Sequence, residues 1–239
     1  MLSSVGVGFD APSPGLKGDA TMTRWVPPRR FGIFTAALLA LVCSDTLRAD
    51  NAAELPVIFA DETISASGKE LLRRHARRIA NWANAGALGE AVAAQNRQHR
   101  TLEKIQQIDA AWTSGGDLEG LDRELLENAC AKALDSFMTA TTGFKESFVM
   151  DDRGALVCMT QRTSDYWQGD EAKWQRSFNE GLGALYIGEI AWDDSADSML
   201  VQISVPIMSD DRAIGALTVG KTVSSELGSR PAHGQDREK

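Results

Sequence analysis

The residues best suited to bind something lie in one short stretch of the second half of the chain: Arg162, Asp165, Tyr166, Trp167 and Trp174. Aromatic rings offer apolar walls, and Tyr and Trp add a polar tip. A guanidinium clamps a carboxylate through two parallel hydrogen bonds, and a carboxylate holds an ammonium or a hydroxyl. Together these five would suit a small carboxylate or an amino-acid-like metabolite. The bland alternative is a satellite core: Tyr166, Trp167 and Trp174 pack against each other, Asp165 caps a turn, and Arg162 is solvated. Lys221 interrupts the pattern of the last apolar segment. It either reaches the same pocket or is a solvated edge lysine.

Signals for catalysis are poor. The chain holds no G-x-S-x-G elbow, no P-loop and no H-E-x-x-H pair. Gly181-x-Gly183 lacks the third glycine of a dinucleotide loop. Asp151-Asp152, Asp193-Asp194 and Asp210-Asp211 each fall in an expected turn, where carboxylates are usually solvated; a loose calcium site is the sharper alternative. His75, His99 and His233 are scattered and far in sequence from any cysteine, so neither a metal nor a cofactor is expected. The reading is a binding protein without turnover.

The residues that must position this site read as follows. Residues 50–67 are a polar linker whose end, Asp61 to Ser67, carries helix-start chemistry. Residues 68–140 are helical: Gly68 to Trp112 as one bent helix or two, weakened at Gly86 and Gly89, then a breaker at Thr113–Asp117, then Leu118 to Thr139. Residues 141–227 form a sheet domain. Glu146–Met150 and Ala155–Thr160 make a hairpin around Asp151-Asp152-Arg153-Gly154. Asp170 is placed to cap a short helix over Glu171–Asn179. Three further strands follow: Leu185–Trp192, Met199–Met208 and Ala213–Val223, with Pro206 marking an edge or a bulge. In Met199–Met208, Val201, Ile203, Val205 and Ile207 share one face.

The first part of the chain has the pattern of an export signal. Residues 1–21 are Gly/Pro/Ser-rich, a disordered leader or an over-long start ahead of Met22. Residues 22–49 combine Arg24, Arg29 and Arg30 with the apolar run Phe31–Val42 and a small residue at Ala49, a signal peptide cut after Ala49. The alternative is an uncleaved anchor. Cys43 follows Val42, a poor residue before a lipidated cysteine. Export places the domain in the periplasm or outside the cell, with no membrane span in the mature chain. There Cys130 and Cys158 form a disulfide between a helix and the sheet, or remain two buried thiols. The formal net charge of −8 disfavours nucleic acid and anionic membrane as main partners. Lys69–Arg78 is a local basic exception.

The set from Phe148-Val149-Met150-Asp151-Asp152-Arg153-Gly154, through Ser164–Glu171 with Trp174, to Val201–Ile207 and Ile214–Val219 resembles the single Cache family of PAS-like extracytoplasmic sensors. The resemblance covers about Phe144 to Val223. It implies an α+β fold: a five-stranded antiparallel sheet, a long N-terminal helix, and a pocket between the sheet and the segment crossing it. Family members often sit between two transmembrane helices and feed an output module. Here nothing apolar follows Val223, and residues 228–239 read as a disordered tail. The expectation is a ligand-binding sensor that reports to a second copy through its long helix, or to a separate signalling protein. The competing expectation is an envelope docking protein with a filled core, using Lys69–Arg78 as its contact surface.

Overall fold

The computed structural model describes residues 55–116, 118, 120–193 and 198–223. The leader at 1–21, the signal peptide at 22–49 with Cys43, the Asp194-Ser195 turn and the tail at 228–239 lie outside the described residues.

One mixed sheet organises the chain, in the order β1-β4-β5-β6-β2-β3. Its strands are β1 (Val57–Phe59), β2 (Phe144–Met150), β3 (Leu156–Met159), β4 (Leu185–Asp193), β5 (Ser198–Ser209) and β6 (Arg212–Thr222). Every neighbouring pair is antiparallel except β1 and β4. The five-stranded antiparallel expectation is therefore corrected to a six-stranded mixed sheet. The extra strand comes from the stretch read as a linker. Three residues are too few to show alternation, and a parallel partner needs no hairpin beside it in sequence. Leu185 N–H donates to Pro56 C=O (2.9 Å) and Ala60 N–H to Ile187 C=O (2.8 Å), closing the edge.

The expected long helix is three helices: α1 (Ala66–Asn84), α2 (Leu88–Asn96) and α3 (Leu102–Thr113). The first break falls at Gly86, the second at His99, whose φ of 49° leaves the helical region. Thr101 then starts α3 by accepting from Lys104 N–H. The next expected helix is also divided, into α4 (Leu121–Glu127) and α5 (Ala129–Thr139). Asn128 between them is extended, at φ −66° and ψ 172°; its side chain accepts from Ala131 N–H and donates to Val157 C=O. A mid-helix Asn competes with the helix for backbone partners and wins here as a cap.

Leu72, Ala76, Ile79 and Ala83 repeat along one side of α1 and meet Val201, Ile203, Val205 and Ile207 of β5 in the larger core. The alternation read in β5 thus marks the face that meets the helices. Its other face is covered too, so Ser204 is buried and shares a hydrogen bond with Thr218 of β6 (2.8 Å). Pro206 sits past the start of β4, beside the register shift at Ile207/Met208. Its carbonyl and the Met208 N–H pair with the Asn84 side chain instead of a strand. Cys130 of α5 and Cys158 of β3 form a disulfide that ties the helical layer to the sheet.

Candidate functional site

The chain leaves β3, crosses the outer face of the sheet, forms α6 (Ala172–Phe178) and returns as β4. Glu171 is the cap residue of α6 and makes no side-chain cap bond, so Asp170 is not the cap. The first half of the crossing pairs with the hairpin: Leu156 N–H donates to Tyr166 C=O (3.1 Å) and Gln168 N–H to Gly154 C=O (2.8 Å). Gly154 has φ +82°, and a Cβ there would overlap the backbone of Gly169. Glycine is therefore required for both the turn and the close approach.

Asp151 organises the turn from within. It is buried, and its Oδ1 accepts from Arg153 and Ala155 N–H (both 2.9 Å) while Oδ2 accepts from Gln95 (2.8 Å). The expectation of a solvated Asp151-Asp152 pair is thus corrected for Asp151. Burial, then the neighbouring Asp151 charge, raises the Asp152 carboxyl above its usual range. Among the described residues no group of three or more His, Cys, Asp or Glu is arranged to hold a metal.

Four of the five expected site residues, Arg162, Tyr166, Trp167 and Trp174, tie this crossing to the rest of the chain, and Asp165 bonds its neighbour within it. Tyr166 is fully buried in a second core with Trp112, Ile105, Met150, Leu156 and Met159. Its hydroxyl accepts from Arg100 (2.7 Å), and burial raises its pKa despite that charge. Arg162 lies 3.8 Å over the Trp112 ring, donates to Trp112 C=O (3.1 Å) and stands 3.8 Å from Asp122. The Asp165 carboxylate accepts from Ser164 (2.6 Å). Trp167 donates to Arg153 C=O (2.8 Å), and Trp174 donates to Asp151 C=O (2.9 Å) while stacking on Phe178 (4.9 Å).

Sequence reasoning missed the partners supplied by α3. Asp109 Oδ1 accepts from Tyr166 N–H (2.8 Å) and Trp167 N–H (2.9 Å), and Trp112 donates to Thr163 C=O (2.9 Å). Trp112 was visible as an apolar position; nothing in the sequence distinguishes Asp109 from any solvated helix carboxylate.

A cavity of about 470 Å³ opens on the same outer face, beside α6 and over β4 and β5. Glu146, Glu171, Lys173, Tyr186, Glu189 and Gln202 line it. None of the five expected residues does. Glu146 lies across Gly220, where a Cβ would crowd its side chain, and accepts from Gln202 (3.1 Å). Lys173 is only 14% exposed; it pairs with Glu171 (2.9 Å) and lies 5.3 Å over the Phe148 ring. Burial, followed by Glu189, raises the Tyr186 phenol. The cavity thus offers carboxylates for an ammonium and a lysine and a protonated phenol for a carboxylate. Lys221 does not belong to it. It pairs with Val201 in register, on the helix-facing side of the sheet, and sits 5.7 Å over Phe144.

No family model matches the sequence, and no curated protein sequence does. Solved structures are similar at low identity. One is the ligand-binding domain of the Campylobacter jejuni chemoreceptor Tlp3 in complex with 4-methylisoleucine, at 12% identity and a TM-score of 0.33, covering 66% of this chain and 61% of that one. Another is the ligand-binding domain of the Pseudomonas aeruginosa PAO1 amino acid chemoreceptor PctC with GABA, at 14% identity and 0.31, with 66% and 61% covered. A third is an extracellular ligand binding receptor from Desulfohalobium retbaense, at 11% identity and 0.32, with 66% and 25% covered. The matched part spans less than two thirds of each of these chains.

Proposed function

We propose that this protein is an exported, PAS-like sensor domain of single Cache type that binds a small carboxylate or amino-acid-like metabolite without turnover. The observation that carries this reading is the outer-face cavity beside α6, with Glu146, Gln202, Tyr186 and Lys173 turned toward one space. Its volume of about 470 Å³ falls within the ordinary range of small-molecule sites. Glu146 receives an ammonium, and Lys173 exchanges part of its pairing with Glu171 for a ligand carboxylate. Arg162, Asp165, Tyr166, Trp167 and Trp174 take the role of the wall that fixes the crossing segment, on which α6 depends. A docking protein with a filled core has no use for such a cavity.

The signal path in this reading is short. The α6 helix packs on β4, β5 and β6, and α1 packs on the opposite face of β4 and β5. A ligand that moves α6 changes the surface α1 rests on, and α1 reports to a second copy or to a signalling protein. Among the described residues no helix is long and apolar enough to cross a membrane. The test is a thermal-shift screen of amino acids, small carboxylates, amines and purines, repeated on Glu146→Gln and Lys173→Ala. A selective rise in one chemical class, lost in both variants, supports the reading. A rise that survives both variants moves the ligand away from this cavity.

A further inference from the structure

A second cavity, also of about 470 Å³, opens on the far side of the sheet between the end of α1, the start of α2 and α5. Its walls are mainly apolar: Trp82, Leu88, Ala133 and Phe137 contribute, and the rings of Trp82 and Phe137 stack with centroids 4.0 Å apart. No acid lines it, and its one charged residue is Arg78, an α1 residue on the helical turn before Trp82.

The charge around Arg78 is unbalanced. His75 lies on the preceding turn, and burial, followed by the positive charges of Lys221, Arg78 and Arg74, lowers its pKa. Lys221 arrives from β6, and burial lowers its pKa as well. Its ammonium sits where a Cβ on Gly143 would be only 3.3 Å away. Elsewhere on α1 the cations have counter-charges: Lys69 takes Glu62 (2.7 Å), and Arg73 and Arg74 share Glu70 (3.4 and 3.3 Å). Among the described residues Arg78 and Lys221 have no acid partner. Two cations without an acid partner, on a chain of net charge −8, leave positive potential beside the cavity that a bound anion would use.

We propose that this cavity is a second ligand site, specific for a small aromatic carboxylate. The ring lies against Trp82 and Phe137, and the carboxylate pairs with Arg78, with the Lys221 ammonium adding positive potential from β6. A stacked aromatic wall with one guanidinium at its mouth suits a flat apolar body carrying one negative charge. The site is separate from the outer-face cavity and does not depend on the function proposed for it.

Calorimetric titration of the purified protein with indole-3-acetate, and with its neutral counterpart indole-3-acetamide, tests the proposal. The acetate is expected to bind at one site, and the acetamide about tenfold more weakly or not at all, the loss of one charge-assisted pair. Arg78 is exposed, so Arg78→Gln leaves the fold intact and is expected to weaken the acetate roughly tenfold. Ala133→Phe fills the cavity and is expected to abolish binding, with the melting temperature of each variant recorded to confirm folding. Equal binding of the two probes, binding unchanged by Arg78→Gln, or no binding to the wild-type protein overturns the proposal. Loss of binding on Lys173→Ala but not on Arg78→Gln also overturns it and places the probe on the outer face.

Discussion

The Asp109 carboxylate is the point at which α3 holds the crossing segment, and its removal gives the sharpest prediction. One oxygen accepts from two consecutive backbone N–H groups, those of Tyr166 (2.8 Å) and Trp167 (2.9 Å). A hydrogen bond to a charged group contributes about 1.5–3 kcal/mol. Asp109 is only half-buried, and both bonds share one oxygen, so the sum falls below two independent bonds. Asp109→Ala is therefore expected to destabilise by about 2–4 kcal/mol, since the N–H of the fully buried Tyr166 loses its partner. Asp109→Asn keeps an acceptor without the charge and is expected to cost about 1 kcal/mol. Glu103→Ala, exposed on the same helix, serves as control and stays within about 0.5 kcal/mol of wild type. Urea unfolding measures this as a lower midpoint at unchanged slope. In a thermal scan each kcal/mol appears as roughly 2–4 °C for a domain of this size. Hydrogen exchange at the Tyr166 and Trp167 amides is expected to accelerate in Asp109→Ala. If Asp109→Ala unfolds within about 0.5 kcal/mol of wild type, the clasp between α3 and the crossing segment is refuted.

Three further outcomes follow from the geometry. Gly154→Ala combines a φ of +82° with overlap on the Gly169 backbone, and is expected to lower stability by at least about 2 kcal/mol in the same urea assay. Replacing both Cys130 and Cys158 by Ser opens a loop with a sequence separation of 28 residues; loop-closure entropy predicts a loss of about 3.6 kcal/mol, read from the shift in urea midpoint. His75 has a lowered pKa in the folded protein, set by burial and by Arg74 and Arg78 on its own helix and Lys221 on β6. The unfolded chain then binds more protons, so stability is full above about pH 6.5 and declines as pH falls through the folded value. His75→Gln is expected to flatten that slope in unfolding midpoints measured between pH 5 and 8, roughly the range in which histidine titrates.

The sheet's central strands were legible because each carries enough residues to show its period. Val201, Ile203, Val205 and Ile207 alternate over β5, and Asp151-Asp152-Arg153-Gly154 sets the turn between β2 and β3. The pairing of Cys130 with Cys158 was one of the two readings that their number and an expected export left open. β1 was not legible, since its partner β4 lies more than a hundred residues away and its three residues carry no pattern of their own. The break at Gly86 falls where glycine weakens the helical pattern, whereas those at His99 and Asn128 are local backbone choices that an apolar stripe read at helical spacing passes over. The aromatic–acidic segment was found, with its place across the sheet. Its Tyr166 hydroxyl is taken by Arg100, and its backbone is held by Asp109 and Trp112 of α3, a helix whose position is set by tertiary packing. The residues lining the outer-face cavity, Glu146, Lys173 and Gln202, come from three separate elements and look like ordinary surface positions in sequence.

The central claim is that a small charged metabolite binds between α6 and the sheet. Its most direct test is the thermal shift of the purified protein, with amino acids, amines and carboxylates, measured alongside Glu146→Gln and Lys173→Ala. Saturation at about 100 times Kd stabilises a native-state binder by about 2.7 kcal/mol. For a domain of this size that is a rise of roughly 5–11 °C. Such a rise is expected for one chemical class, and it is lost in both Glu146→Gln and Lys173→Ala. A folded protein that shows no shift with any of these compounds, or an equal shift in both variants, contradicts it.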